Sequence, residues 1–162
     1  MQKHLFKSLA TLALLCNFNF PLQAAKEQFY RVKPHANVST IEILTESGDI
    51  LTADFQSDLT VSRTGHAWGG MRFEFLDGTI LAYRAVLGRI EFDAPGLVSR
   101  VWVLLVTSQS ERGDPLGFAI VSARPTADDC LIYDFVGPNF GDGVGQFDVP
   151  GSITPVSSPR ER

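Results

Sequence analysis

Cysteine is nearly absent from this sequence: Cys16 and Cys130 are the only two in 162 residues. That excludes a disulfide-stapled scaffold and the paired Cys/His spacing of a tetrahedral zinc site. Lysine is also scarce, with Lys3, Lys7, Lys26 and Lys33 the only four. The 14 Lys+Arg stand against 18 Asp+Glu, a balance of −4 that argues against a partner recognised by its phosphate backbone. No apolar run reaches the roughly 20 residues a membrane-spanning helix needs. There is no internal repeat and no Gly-x-Ser-x-Gly elbow for a serine nucleophile. What is present is 44% hydrophobic and 10% aromatic residues, enough for one domain to build a core without a metal or a disulfide.

The first 25 residues read as a secretory signal peptide. Lys3 and Lys7 supply a positive start, Leu9 to Cys16 a short apolar stretch, and Ala24-Ala25 a small-residue end. The alternative is an uncleaved anchor, because neither Leu22 nor Gln23 is small. Lys3 and Lys7 are among the 14 basic residues, so the mature chain keeps 12 against 18 acidic ones, a balance of −6. Cys130 is then the sole thiol, and an exported chain with one thiol holds no internal disulfide. An exported localisation, periplasmic or secreted, follows, with no stable membrane insertion after cleavage and no nucleic-acid partner.

Past a lead-in at 26–38, the pattern is one of short strands. Ile41 and Ile43 alternate with Glu42, Ser47-Gly48-Asp49 makes a turn, and Leu51, Ala53 and Phe55 resume the alternation. Met71, Phe73 and Phe75 alternate with Arg72 and Glu74 ahead of Asp77-Gly78, which predicts a two-residue hairpin turn with Phe75 opposite Ile80 and Phe73 opposite Ala82. That register puts Tyr83 on the wetter face. Residues 79–90 also place Ile80, Tyr83, Leu87 and Ile90 at helical spacing, so an α+β fold with a helix there is the alternative.

The continuous run 101–106 (Val-Trp-Val-Leu-Leu-Val) predicts a strand covered on both faces. Residues 108–115 read as a polar turn, 118–123 and 131–136 as strands, 137–145 as a Gly-rich loop and 147–149 as a short edge strand. The tail from Pro150 to Arg162 is expected to be disordered. About eight short, mostly antiparallel strands define an all-β fold, a small soluble β-sandwich or closed β-barrel at 39–149.

The segment 62–70 (Ser-Arg-Thr-Gly-His-Ala-Trp-Gly-Gly) carries the most chemistry. Arg63 offers a cation, His66 an imidazole and Trp68 a stacking face, a set suited to a glycan or an anionic ligand. The alternative for Trp68 is a cap over the core. Cys130 reads as a buried, inert thiol. The late aspartates Asp128, Asp129, Asp134, Asp142 and Asp148 lack the spacing of a calcium loop, and no metal or cofactor is expected.

The expected function is a binding or interaction module for a small ligand, a glycan or an exported protein, using loops 62–70 and 137–145 on a rigid sheet. The alternative is a small secreted hydrolase with His66 as general base and an Asp of the 128–142 region orienting it.

Overall fold

The computed structural model describes residues 28–108, 117–137 and 143–159. The signal peptide expected at 1–25 lies outside the described residues, as does most of the polar turn at 108–115 and the centre of the Gly-rich loop at 137–145. Among the described residues all regular structure is β, in nine strands: β1 Phe29–Pro34, β2 Ser39–Thr45, β3 Ile50–Ser62, β4 Ala67–Phe75, β5 Ile80–Ala94, β6 Leu97–Thr107, β7 Phe118–Pro125, β8 Cys130–Val136 and β9 Val144–Val156.

Every pairing is antiparallel. Strands β2 to β9 pair in chain order, and β9 returns to β2. The sheet is therefore a closed up-and-down barrel of eight wall positions rather than a sandwich. One position is filled by two strands: β2 pairs the first half of β3 up to Phe55, and β1 pairs it from Leu59 onward. On β9, likewise, β2 meets Gly145 and Gln146 while β1 meets Gly151–Val156. The segment 35–38 between β1 and β2 opens a gap in the wall. Closure leaves no long free edge to aggregate.

Alternation along each strand sends one set of side chains inward. Phe55, Phe73, Phe135, Phe147, Tyr83 and Tyr133 form a buried ring cluster, with centroids 4.9 to 6.5 Å apart, mostly edge to face. Val, Ile and Leu close the core above and below: Ile43, Leu59, Val61, Leu105 and Leu131 are fully buried. An eight-stranded barrel has an interior just wide enough for side chains or one small ligand, and here the side chains occupy it. Charged residues lie outside, among them Arg31, Asp58, Arg72, Glu91 and Asp134, the reverse of a transmembrane barrel's polarity.

Several expectations are corrected. The lead-in at 26–38 contains a wall strand, β1. The edge strand at 147–149 is part of a 13-residue strand, and the tail expected to be disordered from Pro150 continues that strand to Val156. Pro150 stands in the gap where β2 pairing has ended and β1 pairing has yet to begin, so its missing N–H breaks no ladder, and its carbonyl accepts from the His35 backbone N–H.

The Met71–Arg84 hairpin exists with its register shifted by one: Phe73 faces Leu81, and Met71 faces Tyr83. Three residues, 76–78, make the turn, with Gly78 at φ 89° and the Phe75 N–H donating to the Thr79 carbonyl. The shift turns Tyr83 inward and leaves Ile80 exposed. Residues 79–90 are strand, not helix. A bulge between Ala85 and Leu87 resets the alternation, so Ala85 and Gly88 both lie opposite inward residues of β6, and apolar positions fall at a false helical spacing. Strand β6 is covered fully on its inner face and only in part on its outer one, where Trp102 and Leu104 lie half-buried while Val106 is buried.

Candidate functional site

The turns divide between two rims. The C-terminal ends of β2, β4, β6 and β8 lie at the upper rim, and those of β3, β5 and β7 lie at the lower rim. Arg63, His66 and Trp68 belong to the lower β3–β4 hairpin, which is tightly tied. The Ser62 N–H donates to the His66 carbonyl, the His66 N–H donates to Ser62 Oγ, and the Gly88 N–H donates to the Gly65 carbonyl of the turn.

The three side chains divide into two groups. Arg63 lays its guanidinium 4.7 Å over the ring of Phe92, which packs edge-on against Tyr30, and donates to Gln28 Oε1. His66 and Trp68 stand together on the outer wall, with ring centroids 5.9 Å apart. Trp68 is 38% exposed and meets Phe29 edge to face at 5.6 Å, so it is not buried under the core. His66 Nδ1 contacts Thr64 Oγ1 at 3.3 Å.

The hydrolase expectation asked for an Asp of residues 128–142 beside His66. The contact of this kind that the structure shows is made by His35 instead: Asp129 Oδ2 lies 2.8 Å from His35 Nε2, with both groups well exposed. Asp129 adopts φ 60°. The sole thiol of the described residues, Cys130, is half-buried rather than buried. Among the described residues no cluster of three or more His, Cys, Asp or Glu is arranged to hold a metal.

Surface depressions among the described residues were not foreseen, and two of them bear on recognition. The first, about 430 Å³, runs along the wall gap beside Lys33 and Asn37, past Gln56, Asp58 and Arg72, with Gly70 and Ala82 as a low floor. Asp58 accepts from both Arg31 Nε and Nη2, at 2.9 and 2.6 Å, and this raises the guanidinium pKa. The groove begins one outward position along β4 from Trp68. Gly69 makes the close packing of β3 and β4 possible here: its φ is +104°, and a Cβ would fall 1.9 Å from the Asp58 carbonyl oxygen.

The second depression, about 410 Å³, is almost wholly apolar and lies at the upper rim among Leu104, Phe118, Ile120, Val136 and Val144. Strand register aligns four of these: Leu104 faces Ile120, Ile120 faces Val136, and Val136 faces Val144. Each points outward, because the positions next to it along the strand (Val103 and Leu105, Ala119 and Val121, Phe135, Gly145) face the barrel interior. Phe118 is 62% exposed, and among the described residues Leu44, Ile50, Leu76 and Ile80 are further exposed apolar residues of this rim. The signal was in the sequence. Runs such as 101–106 and 118–121 lack polar alternation, and on a barrel already filled inside, the outward half of such a run has nothing to cover it.

Comparison with family models, with curated proteins and with solved structures finds no match to this chain.

Proposed function

We propose that this chain is an exported binding module whose barrel wall, rather than its lumen, recognises a small ligand, a glycan or another exported protein. The observation that supports it best is the pairing of a lumen filled with aromatic side chains and a contiguous apolar row left on the outer wall at Leu104, Ile120, Val136 and Val144. A contiguous apolar patch beside polar surroundings marks an interaction site more often than chance exposure does. Export rests on the order of residues 1–25. The hairpin carrying Arg63, His66 and Trp68 is a second recognition surface under the same reading, with His66 and Trp68 offering a ring face and a hydrogen-bonding imidazole to a sugar.

A thermal-shift screen of the purified protein against oligosaccharides, small apolar molecules and peptides tests the proposal. A specific ligand raises the melting temperature by mass action. The reading expects at least one shift that disappears in Ile120→Ser or in Trp68→Ala while the variant's own melting temperature stays close to wild type. Shifts that survive both substitutions and vanish in a lumen variant such as Phe55→Leu place recognition inside and overturn it.

A further inference from the structure

The apolar row has a charged flank of one sign. Asp134 lies on the same outer face of β8 as Val136, two residues away, and Gln146 Nε2 donates to it at 2.7 Å. On the next strands Asp148 of β9 and Glu42 of β2 are exposed, and Glu46 follows in the β2–β3 turn. Leu44 faces Gln146 and extends the apolar surface into this acidic ground. Among the described residues of β2, β6, β7, β8 and β9 the only bases are Arg100 and Arg124, both toward the lower rim. An apolar strip bordered by acids on its β8, β9 and β2 side, with Arg84 of β5 standing opposite Val106 at its far end, is complementary on the acidic side to a surface that is itself apolar on one side and basic on the other.

We infer that the upper-rim row docks a cationic amphipathic peptide segment. Its apolar side chains would seat on Leu104, Ile120, Val136 and Val144 beside Phe118. Its Lys or Arg side chains would lie over Asp134, Asp148, Glu42 and Glu46. Four strands at about 4.8 Å spacing give a strip about 14 Å long, which a segment of some ten helical residues spans. The acidic flank repels an anionic lipid surface, which separates this occupant from a membrane. The inference rests on the wall-recognition reading above and adds the partner's chemistry to it.

The test uses two labelled probes, a peptide of Leu and Lys with its leucines at helical spacing and the same peptide with Glu in place of Lys. Titration of the purified protein should show binding of the Leu/Lys peptide and none of the Leu/Glu peptide. The double variant Ile120→Ser, Val136→Ser should weaken binding about tenfold or more. The double variant Asp134→Asn, Glu42→Gln should weaken it about threefold, with a smaller salt dependence. Both variants should melt within a few degrees of wild type.

Failure of the Leu/Lys peptide to bind, or binding indifferent to Asp134→Asn, Glu42→Gln, overturns the inference. Equal binding of both peptides that is lost in the Ile120/Val136 variant overturns it while leaving wall recognition standing; binding indifferent to the row removes both. Sedimentation should show a monomer, and a dimer dissociated by the Ile120/Val136 substitutions would make a second copy the occupant instead. Phosphatidylglycerol vesicles should not bind, and capture by them through the row would equally contradict the inference.

Discussion

Tyr133 and Phe147 face each other on adjacent strands and stack in the lumen, with ring centroids 5.1 Å apart and planes 12° from parallel. Phe55 meets both rings edge-on, at 5.3 and 4.9 Å, and Phe73 closes the cluster from β4. The barrel is thus held by a continuous aromatic interior, to which each strand from β3 to β9 except β6 and β7 contributes a ring. The valines and Leu105 of β6, with Ala119, Val121 and Ala123 of β7, fill the remaining side.

Phe73 is fully buried and touches Phe55, Tyr83, Phe135 and Phe147. Phe73→Ala should cost about 3–5 kcal/mol, read as a fall in the denaturant midpoint. A change under about 1 kcal/mol would mean the cluster does not carry the fold.

The hydroxyls of Tyr83 and Tyr133 are buried without a protein hydrogen-bond partner; that of Tyr133 lies toward Ser57 Oγ without bonding geometry. Burial pushes the Tyr83 hydroxyl up to about 12 and the Tyr133 hydroxyl higher still. An ordinary phenol ionises near 10. Above about pH 10 the unfolded chain therefore releases phenolic protons that the folded chain retains, so stability is intact below about pH 10 and declines as pH rises through about 12. Denaturant melts from about pH 9 to about pH 12 should show that decline, and Tyr83→Phe should make it shallower. Phenolate absorbance rising near pH 10 for every tyrosine of the folded protein would contradict it.

Gly69 combines a positive φ with a Cβ position already filled by the Asp58 carbonyl. Gly69→Ala should cost more than about 3 kcal/mol, because it adds backbone strain to a clash that only movement of β3 could relieve. Gly48→Ala, in a turn where a Cβ meets nothing, carries the φ penalty alone and should cost about 1 kcal/mol. Comparable effects of the two would show that β3 and β4 are not packed as described.

If residues 1–25 direct export, protein recovered from the periplasm or medium of a bacterial host should begin at Lys26, as read by intact mass. Recovery only in the cytosolic fraction with Met1 retained would contradict the export proposal.

Much of the wall was legible because its physics is local. Ile41, Ile43, Met71 and Phe73 alternate with charge, and Asp77-Gly78 and Ser47-Gly48-Asp49 punctuate them. What stayed hidden depends on closure. Phe29–Pro34 reads as irregular until β3 and β9 are on either side of it, and Pro150 reads as a terminator until the wall gap makes its missing donor harmless. The Phe73–Leu81 register turned on one extra turn residue, which composition does not announce. In the candidate site, the residue types at 63, 66 and 68 were visible, but whether they converge depends on the hairpin's twist, which sends Arg63 to Phe92 and His66 and Trp68 to the outer wall. The apolar row was visible as a run, but the strand was expected to be covered on both faces, and only closure of the barrel determines that Leu104 stays half-exposed on the outer wall.

Wall recognition is tested most directly by mapping amide chemical-shift changes on the isotope-labelled protein as a bound ligand or the Leu/Lys peptide is titrated in. The account predicts changes concentrated on Leu104, Ile120, Val136 and Val144, with the amides of Phe55 and Phe73 unmoved. Changes centred on Phe55, Phe73 and Tyr133, with the outer row silent, would contradict it.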